Sequence, residues 1–176
     1  FGLNTNGQLS LPPLPSGLVW TKIAAGPGYS LALRSDGVAV MVGGFASTDP
    51  VPNWSSYVDI AAGFSHAAGR LANGAIVLWG PQHNLGSFPA PPTGQTFTKV
   101  VAGSGFTAGL LSGGMIVVHA SSTNSGVQNV PALPPGVTYT ALAAGYRDVV
   151  ALRSDGQIVS WPSTHHTPPP LPPGVT

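Results

Sequence analysis

The chain has 176 residues and a formal net charge of +1, with only 6% charged positions against about 25% in an ordinary soluble domain. It contains no cysteine, which excludes disulfides, thiolate metal sites and cysteine nucleophiles. Lys22, Arg34, Arg70, Lys99, Arg147 and Arg153 are scattered singly, so the clustered cations that displace counterions from a phosphate backbone are missing, and no nucleic-acid partner is expected.

The 24 glycines and 19 prolines break long helices. A 43% hydrophobic content and a mean hydropathy of +0.24 still supply a core, so strands and turns remain. The length suits one domain or part of a larger repeat array. The opening FGLNTNGQ has neither the basic nor the apolar stretch of a secretory leader, so a leader is expected to be absent or already removed.

In chain order, a Pro-rich connector (1–19) leads into four segments that superpose without gaps: WTKIAAGPGYSLALRSDGVAVMV (20–42), YVDIAAGFSHAAGRLANGAIVLW (57–79), FTKVVAGSGFTAGLLSGGMIVVH (97–119) and YTALAAGYRDVVALRSDGQIVSW (139–161). Connectors 43–56, 80–96, 120–138 and 162–176 separate and follow them, and the spacing between segments, 37, 40 and 42 residues, varies only there. Such self-similarity is the signature of a repeat architecture. Each segment opens on an aromatic residue and carries two glycines at fixed offsets: Gly26, Gly63, Gly103 and Gly145, then Gly37, Gly74, Gly114 and Gly156.

Ser35-Asp36-Gly37, Ala72-Asn73-Gly74, Ser112-Gly113-Gly114 and Ser154-Asp155-Gly156 read as two-residue type I′ hairpin turns, since Gly, Asn and Asp tolerate positive φ. The apolar runs after them, from Val38–Val42 to Gln157–Trp161, read as short strands buried on both faces, with a further strand ahead of each hairpin. The AAG and VAG steps suit close backbone approach at a crowded axis. Val100 to Val118 is an uncharged stretch of transmembrane length, but its glycines and its alignment with charged segments argue against a membrane span.

On these residues, LPPGVTYTALAAG (133–145) and ALRSDGQIVSW (151–161) above all, the chain resembles the repeats of the regulator of chromosome condensation type in their divergent bacterial form. The resemblance implies an all-β fold, a β-propeller or partial propeller, here of about four blade repeats, with four strands to a blade. The usual His-Ser pair of that family is Tyr29-Ser30, His66-Ala67, Phe106-Thr107 and Asp148-Val149 here, and its closing Trp-Gly survives only at Trp79-Gly80. Four segments with five connectors look cut from a longer array, and open edges then need a partner or ring closure.

His66 stands at the family's His position and is expected to be packed and hydrogen-bonded; His119 stands at a Trp position and reads the same way. His165 and His166 are adjacent on an extended segment, where neighbouring side chains point apart, so no metal is expected there. Asp36 with Arg34 and Asp155 with Arg153 recur as turn residues in local pairs. Asp49, Asp59 and Asp148 do not recur, and none has a neighbour at acid-base spacing. No catalytic residue, cofactor or metal is therefore expected. Asn53-Trp54-Ser55 matches the glycosylation acceptor pattern.

The expected function is that of a non-enzymatic protein-binding or scaffold module, part of a longer array, because the invariant spacing serves architecture while the connectors vary. Trp54, His83 and Phe88, outside the repeated segments, are the candidate partner contacts; the rival reading has Trp54 and Phe88 filling gaps between blades. The alternatives are a structural subunit of an extracellular, appendage or phage-type assembly that completes itself with further copies, or a secreted enzyme-inhibitor-like propeller. Propellers of the resembled kind include a chromatin-associated nucleotide-exchange factor and a secreted inhibitor of bacterial β-lactamase. The low charge matches the second surface, which implies an extracellular or cell-surface location.

Overall fold

The computed structural model describes residues 2–44, 50–53, 56–81, 86–121 and 126–162; among them the regular structure is all strand apart from one short 3-10 turn at 126–128. Four antiparallel three-stranded sheets follow one another along the chain, each in simple sequence order. Blade 1 holds β1 (Trp20–Gly26), β2 (Tyr29–Arg34) and β3 (Ala39–Gly43). Blade 2 holds β4 (Tyr57–Ala62), β5 (Ala67–Leu71) and β6 (Ile76–Trp79). Blade 3 holds β7 (Phe97–Ala102), β8 (Phe106–Leu111) and β9 (Ile116–Ala120), so the uncharged stretch 100–118 is a folded blade. Blade 4 holds β10 (Tyr139–Ala144), β11 (Val149–Arg153) and β12 (Ile158–Trp161).

The hairpins between the second and third strands lie where the turn residues place them, but their type differs from the expectation. Arg34 N–H donates to Val38 O at 2.9 Å and Gly37 N–H to Arg34 O at 3.0 Å, and the same pair of bonds recurs at Leu71, Leu111 and Arg153. Gly37, Gly74, Gly114 and Gly156 have φ of 80°, 82°, 76° and 82°, and among the described residues no non-glycine has positive φ. This is a three-residue loop, a type I turn closed by a left-handed glycine. Asp36, Asn73 and Asp155 contribute as acceptors, taking the N–H of Val38, Ala75 and Gln157.

A β-bulge near the start of every first strand, between Trp20 and Lys22, Tyr57 and Asp59, Phe97 and Lys99, and Tyr139 and Ala141, shifts the alternation of faces. Where the bulged residue is threonine, its hydroxyl donates to a facing carbonyl: Thr21 to Leu33, Thr98 to Leu110 and Thr140 to Leu152. The shift brings the opening aromatic and the apolar residue three positions later to the same buried side, as with Tyr57 and Ile60.

Each core lies between two blades. Leu31, Leu33 and Met41 of blade 1 meet Tyr57, Ile60 and Trp79 of blade 2. Ala68 and Ile76 of blade 2 meet Phe97, Val100 and Leu111 of blade 3. Phe106, Leu110 and Ile116 of blade 3 meet Tyr139, Leu142 and Trp161 of blade 4. The first strands line the axis, packing β1 on β4, β4 on β7 and β7 on β10 in an open arc.

The glycines ending the AAG and VAG steps serve close approach, since their φ is not positive. A Cβ on Gly26, Gly63 or Gly103 would lie 2.8, 2.6 or 2.7 Å from the carbonyl oxygen of the next blade's equivalent glycine. The residue three positions later, Tyr29, His66 or Phe106, also folds over that site within 2.9 Å.

The fourth strand per blade that the resemblance implies is not seen among the described residues. The Pro-rich connectors lack the donors a ladder needs. They offer carbonyls to the blades instead: Tyr57 Oη donates to Pro52 O at 3.1 Å, Tyr139 Oη to Pro131 O at 2.7 Å and Trp161 Nε1 to Val127 O at 2.7 Å.

Candidate functional site

Of the three connector residues singled out as partner contacts, Trp54 and His83 lie outside the described residues, as do Asp49, Ser55, His165 and His166. Phe88 is described and only 7% exposed. Its ring stands edge-on to Phe97 at 5.2 Å and to His119 at 6.0 Å between centroids. It occupies the gap-filling position of the rival reading, because the connector ahead of blade 3 folds back over the apolar face of that blade.

His66 is fully buried in the junction of blades 2 and 3, with Nε2 2.8 Å from Thr107 Oγ1. Burial lowers its pKa to about 4, outweighing a backbone contact at Phe106 that favours the charged form. It is a neutral structural residue, as its repeat position implies. Tyr29 does the equivalent work one junction earlier: its hydroxyl lies 2.9 Å from Gly63 O and 2.7 Å from His66 O, and burial pushes the phenol well above its usual range.

Asp59 has two cationic neighbours that its place in the sequence conceals. Its carboxylate, 3% exposed, lies 2.8 Å from Lys22 Nζ of blade 1 and 3.8 Å from Lys99 Nζ of blade 3. All three residues hold the same position in their repeats, so the alternation Lys22, Asp59, Lys99 down the alignment was the available signal. Each is far from the next in sequence, so no acid-base pair shows at short spacing. Arg34 with Asp36 and Arg153 with Asp155 form local ion pairs at the hairpin turns.

The concave feature with exposed aromatic residues is at the axis. Ala25-Gly26, Ala62-Gly63, Ala102-Gly103 and Ala144-Gly145 converge on a crevice of about 250 Å³, and the residue after each glycine, Pro27, Phe64, Ser104 or Tyr146, forms its rim. Phe64 and Tyr146 are 47% and 51% exposed, and their rings meet edge to face at 5.0 Å. They come from blades 2 and 4, which are not sequence neighbours. Blade 3 sets their separation: Phe64 N–H donates to Gly103 O at 3.1 Å and Ser104 N–H to Tyr146 O at 2.8 Å. The Arg147 guanidinium lies 5.5 Å from the centre of the Tyr146 ring.

These aromatics lie inside the repeated segments and not in the connectors that hold Trp54, His83 and Phe88. The signal was variability at one repeat position that is otherwise Pro or Ser. Chemically the rim offers apolar area, a phenol and a guanidinium. No group of three or more His, Asp or Glu residues placed to hold a metal occurs among the described residues, and no helix among them is long and apolar enough to cross a membrane.

No protein-family model and no curated protein matches the chain. Solved structures do. The ectodomain of the receptor kinase CR4 from Physcomitrella patens matches with a TM-score of 0.69 and 20% identity over 92% of this chain and 46% of its own. Prp20p of Saccharomyces cerevisiae, which has binding properties toward Gsp1p and histones, matches with a TM-score of 0.67 and 23% identity over 87% and 45%. The CRINKLY WD40 ectodomain of the Arabidopsis thaliana receptor kinase ACR4 matches with a TM-score of 0.61 and 22% identity over 81% and 49%. The chain thus spans about half the length of these structures. Four three-stranded blades following one another around an axis, together with these likenesses, give this chain the β-propeller fold of the regulator of chromosome condensation type, as an open arc.

Proposed function

We propose that the chain is a non-enzymatic protein-binding module whose contact surface is the axial rim built from Phe64, Tyr146 and Arg147. The observation that carries this reading is the exposed edge-to-face pair of Phe64 and Tyr146 with Arg147 beside it. Aromatic and arginine side chains dominate the energetics of protein interfaces, supplying large contact area at little rotamer cost. A structural explanation is weak here, since half of each ring is in solvent. Support also comes from Prp20p, a protein of the same fold that binds protein partners. Trp54 and His83, from the connectors, are proposed as further partner contacts in this reading. The two plant ectodomains favour an extracellular setting, and a scaffold role follows if two partners bind at once.

The test is a selection of peptide ligands from a displayed library on the immobilised chain, followed by titration of purified ligands. Tyr146→Ala is expected to weaken the selected ligands by about 2 kcal/mol, roughly thirtyfold, with little change in thermal stability. Ligands that bind Tyr146→Ala, Phe64→Ala and Arg147→Ala as tightly as the unaltered chain would place the contact surface elsewhere.

A further inference from the structure

The six cations are scattered singly along the sequence, but folding gathers three of them. Arg34 and Arg153 are taken by Asp36 and Asp155 at the hairpin turns. Lys22 of blade 1 and Lys99 of blade 3 both reach the Asp59 carboxylate of blade 2. Arg70 stands directly across the β4–β5 ladder from Asp59, so the two side chains leave the same face of blade 2. Leu33 and Leu110, the equivalents of Arg70 in blades 1 and 3, are 3% and 6% exposed and pack between blades. Arg70 therefore puts a guanidinium where the architecture takes a leucine. Its Nε is buried without a hydrogen-bond partner, and Asp59 is paired to the two lysines instead. A cation held at such a position without an acceptor is costly, and packing does not call for it.

We infer that Lys22, Arg70 and Lys99 bind a small molecule through a phosphate monoester group. Three cations against one carboxylate leave two positive charges in surplus, which a phosphate monoester, close to a dianion at neutral pH, cancels. The donors are open to a ligand. The Asp59 side chain is 3% exposed, whereas those of Lys22 and Lys99 are 41% and 46% exposed. An ammonium carries three N–H donors, so each lysine keeps donors for an acceptor on the solvent side. Asp59 holds the pair in place: Oδ1 lies 2.8 Å from Lys22 Nζ and Oδ2 lies 3.8 Å from Lys99 Nζ, while Ile60 N–H donates to Oδ1 at 3.1 Å. Arg70 adds a planar fork of N–H groups, which matches two oxygens on one phosphorus.

The three cations are arranged about a single residue, so a ligand that concentrates its charge on one group fits better than one with charges spread along a chain. A nucleic-acid backbone repeats its charges over a long track, and here the row stops at Ala141, the equivalent position in blade 4. All members of the site lie between residues 22 and 99, inside blades 1 to 3. They sit near the start of the first strands or across from it, whereas Phe64 and Tyr146 follow the ends of those strands. The site is thus separate from the axial rim and does not rest on the protein contacts proposed there.

Titration of the chain with phenyl phosphate at constant ionic strength, followed by amide chemical shifts, tests it. Saturable shifts around Asp59 are expected below about 10 mM, the range of a few charge-assisted hydrogen bonds. Arg70→Leu, which installs the residue of the neighbouring repeats, is expected to fold and to weaken binding at least tenfold. Lys22→Gln and Lys99→Gln, at half-exposed positions, are each expected to weaken it severalfold. Arg70→Lys, which keeps the charge and loses the fork, is expected to fall between Arg70→Leu and the unaltered chain. Dimethyl phosphate, with a single charge, is expected to bind at least tenfold more weakly than phenyl phosphate. The absence of saturable shifts overturns the inference, as does unchanged binding by Arg70→Leu or by both lysine variants. Malonate bound as tightly as phenyl phosphate would overturn the assignment of the ligand group.

Discussion

Ile23 and Ile60 are the same residue at the same repeat position, yet one is 80% exposed and the other 7%. The backbone around them is alike, both on a bulged inner strand paired to its neighbour in the same register. What separates them is a blade: Ile60 packs against blade 1, whereas among the described residues no blade covers Ile23. A repeat position in a propeller is therefore core or surface according to its neighbour, because each blade contributes only half of every hydrophobic core.

The comparison breaks most visibly on truncation. Ile60→Ala is expected to lower stability by about 2–5 kcal/mol, the range for a large-to-small change in a packed core. Ile23→Ala is expected to change it by less than about 0.5 kcal/mol at concentrations where the chain is monomeric. Urea denaturation of both variants checks this, and equal losses would mean that Ile23 is covered within one chain.

The junction of blades 2 and 3 differs from its neighbours in holding a histidine. The unfolded state takes up a proton at His66 near its ordinary value of 6.5, whereas the native state resists until about pH 4. Between those limits the unfolded chain binds more protons. Stability is thus full above about pH 6.5, falls as the pH drops toward 4, and loses roughly 3 kcal/mol over the window. The double change His66→Phe with Thr107→Val, which copies the apolar junction of blades 3 and 4, is expected to remove that acid sensitivity. Thermal melts from pH 7 to pH 4 follow it.

A glycine pair sharpens the same contrast. A Cβ on Gly63 meets the Gly103 carbonyl of the next blade at 2.6 Å, so Gly63→Ala must push two blades apart and is expected to cost about 1–3 kcal/mol. On Gly145 the three atoms nearest such a Cβ all belong to the Asp148 carboxylate, the end of a side chain that can turn away, so Gly145→Ala is expected to cost less. The difference in melting temperature between the two variants measures what a following blade adds.

The smallest effect is at the turns. Asp36→Ala removes an exposed ion pair with Arg34, which holds the Asp36 carboxyl below its ordinary value, and an acceptor for Val38 N–H. The change is expected to lower the melting temperature only slightly, and by less at high salt, which thermal melts over a salt series check.

Local chemistry was legible in the sequence. The four repeats, the hairpin after each Arg or Leu, the need for glycine at Gly37 and at Gly26, and the structural nature of His66 all follow from residues within a few positions of one another, or from their recurrence. The turn type was misread because Asp and Asn also tolerate positive φ, and only the backbone shows that glycine alone takes it here. The bulge was hidden as well. Strict alternation puts Tyr57 and Ile60 on opposite faces, and the extra residue that brings them together leaves no mark that propensity reveals.

Everything that joins one blade to another belonged to the tertiary structure. Asp59 finds Lys22 and Lys99 some forty residues away on either side. Phe64 reaches Tyr146 across an intervening blade, and Phe88 folds inward although its connector looked like surface. The physical reason is common to all three. A blade folds by hydrogen bonds between adjacent strands, which the order of residues specifies, but it is buried by another blade, and which side chains meet there depends on the pitch and order of the stacked sheets.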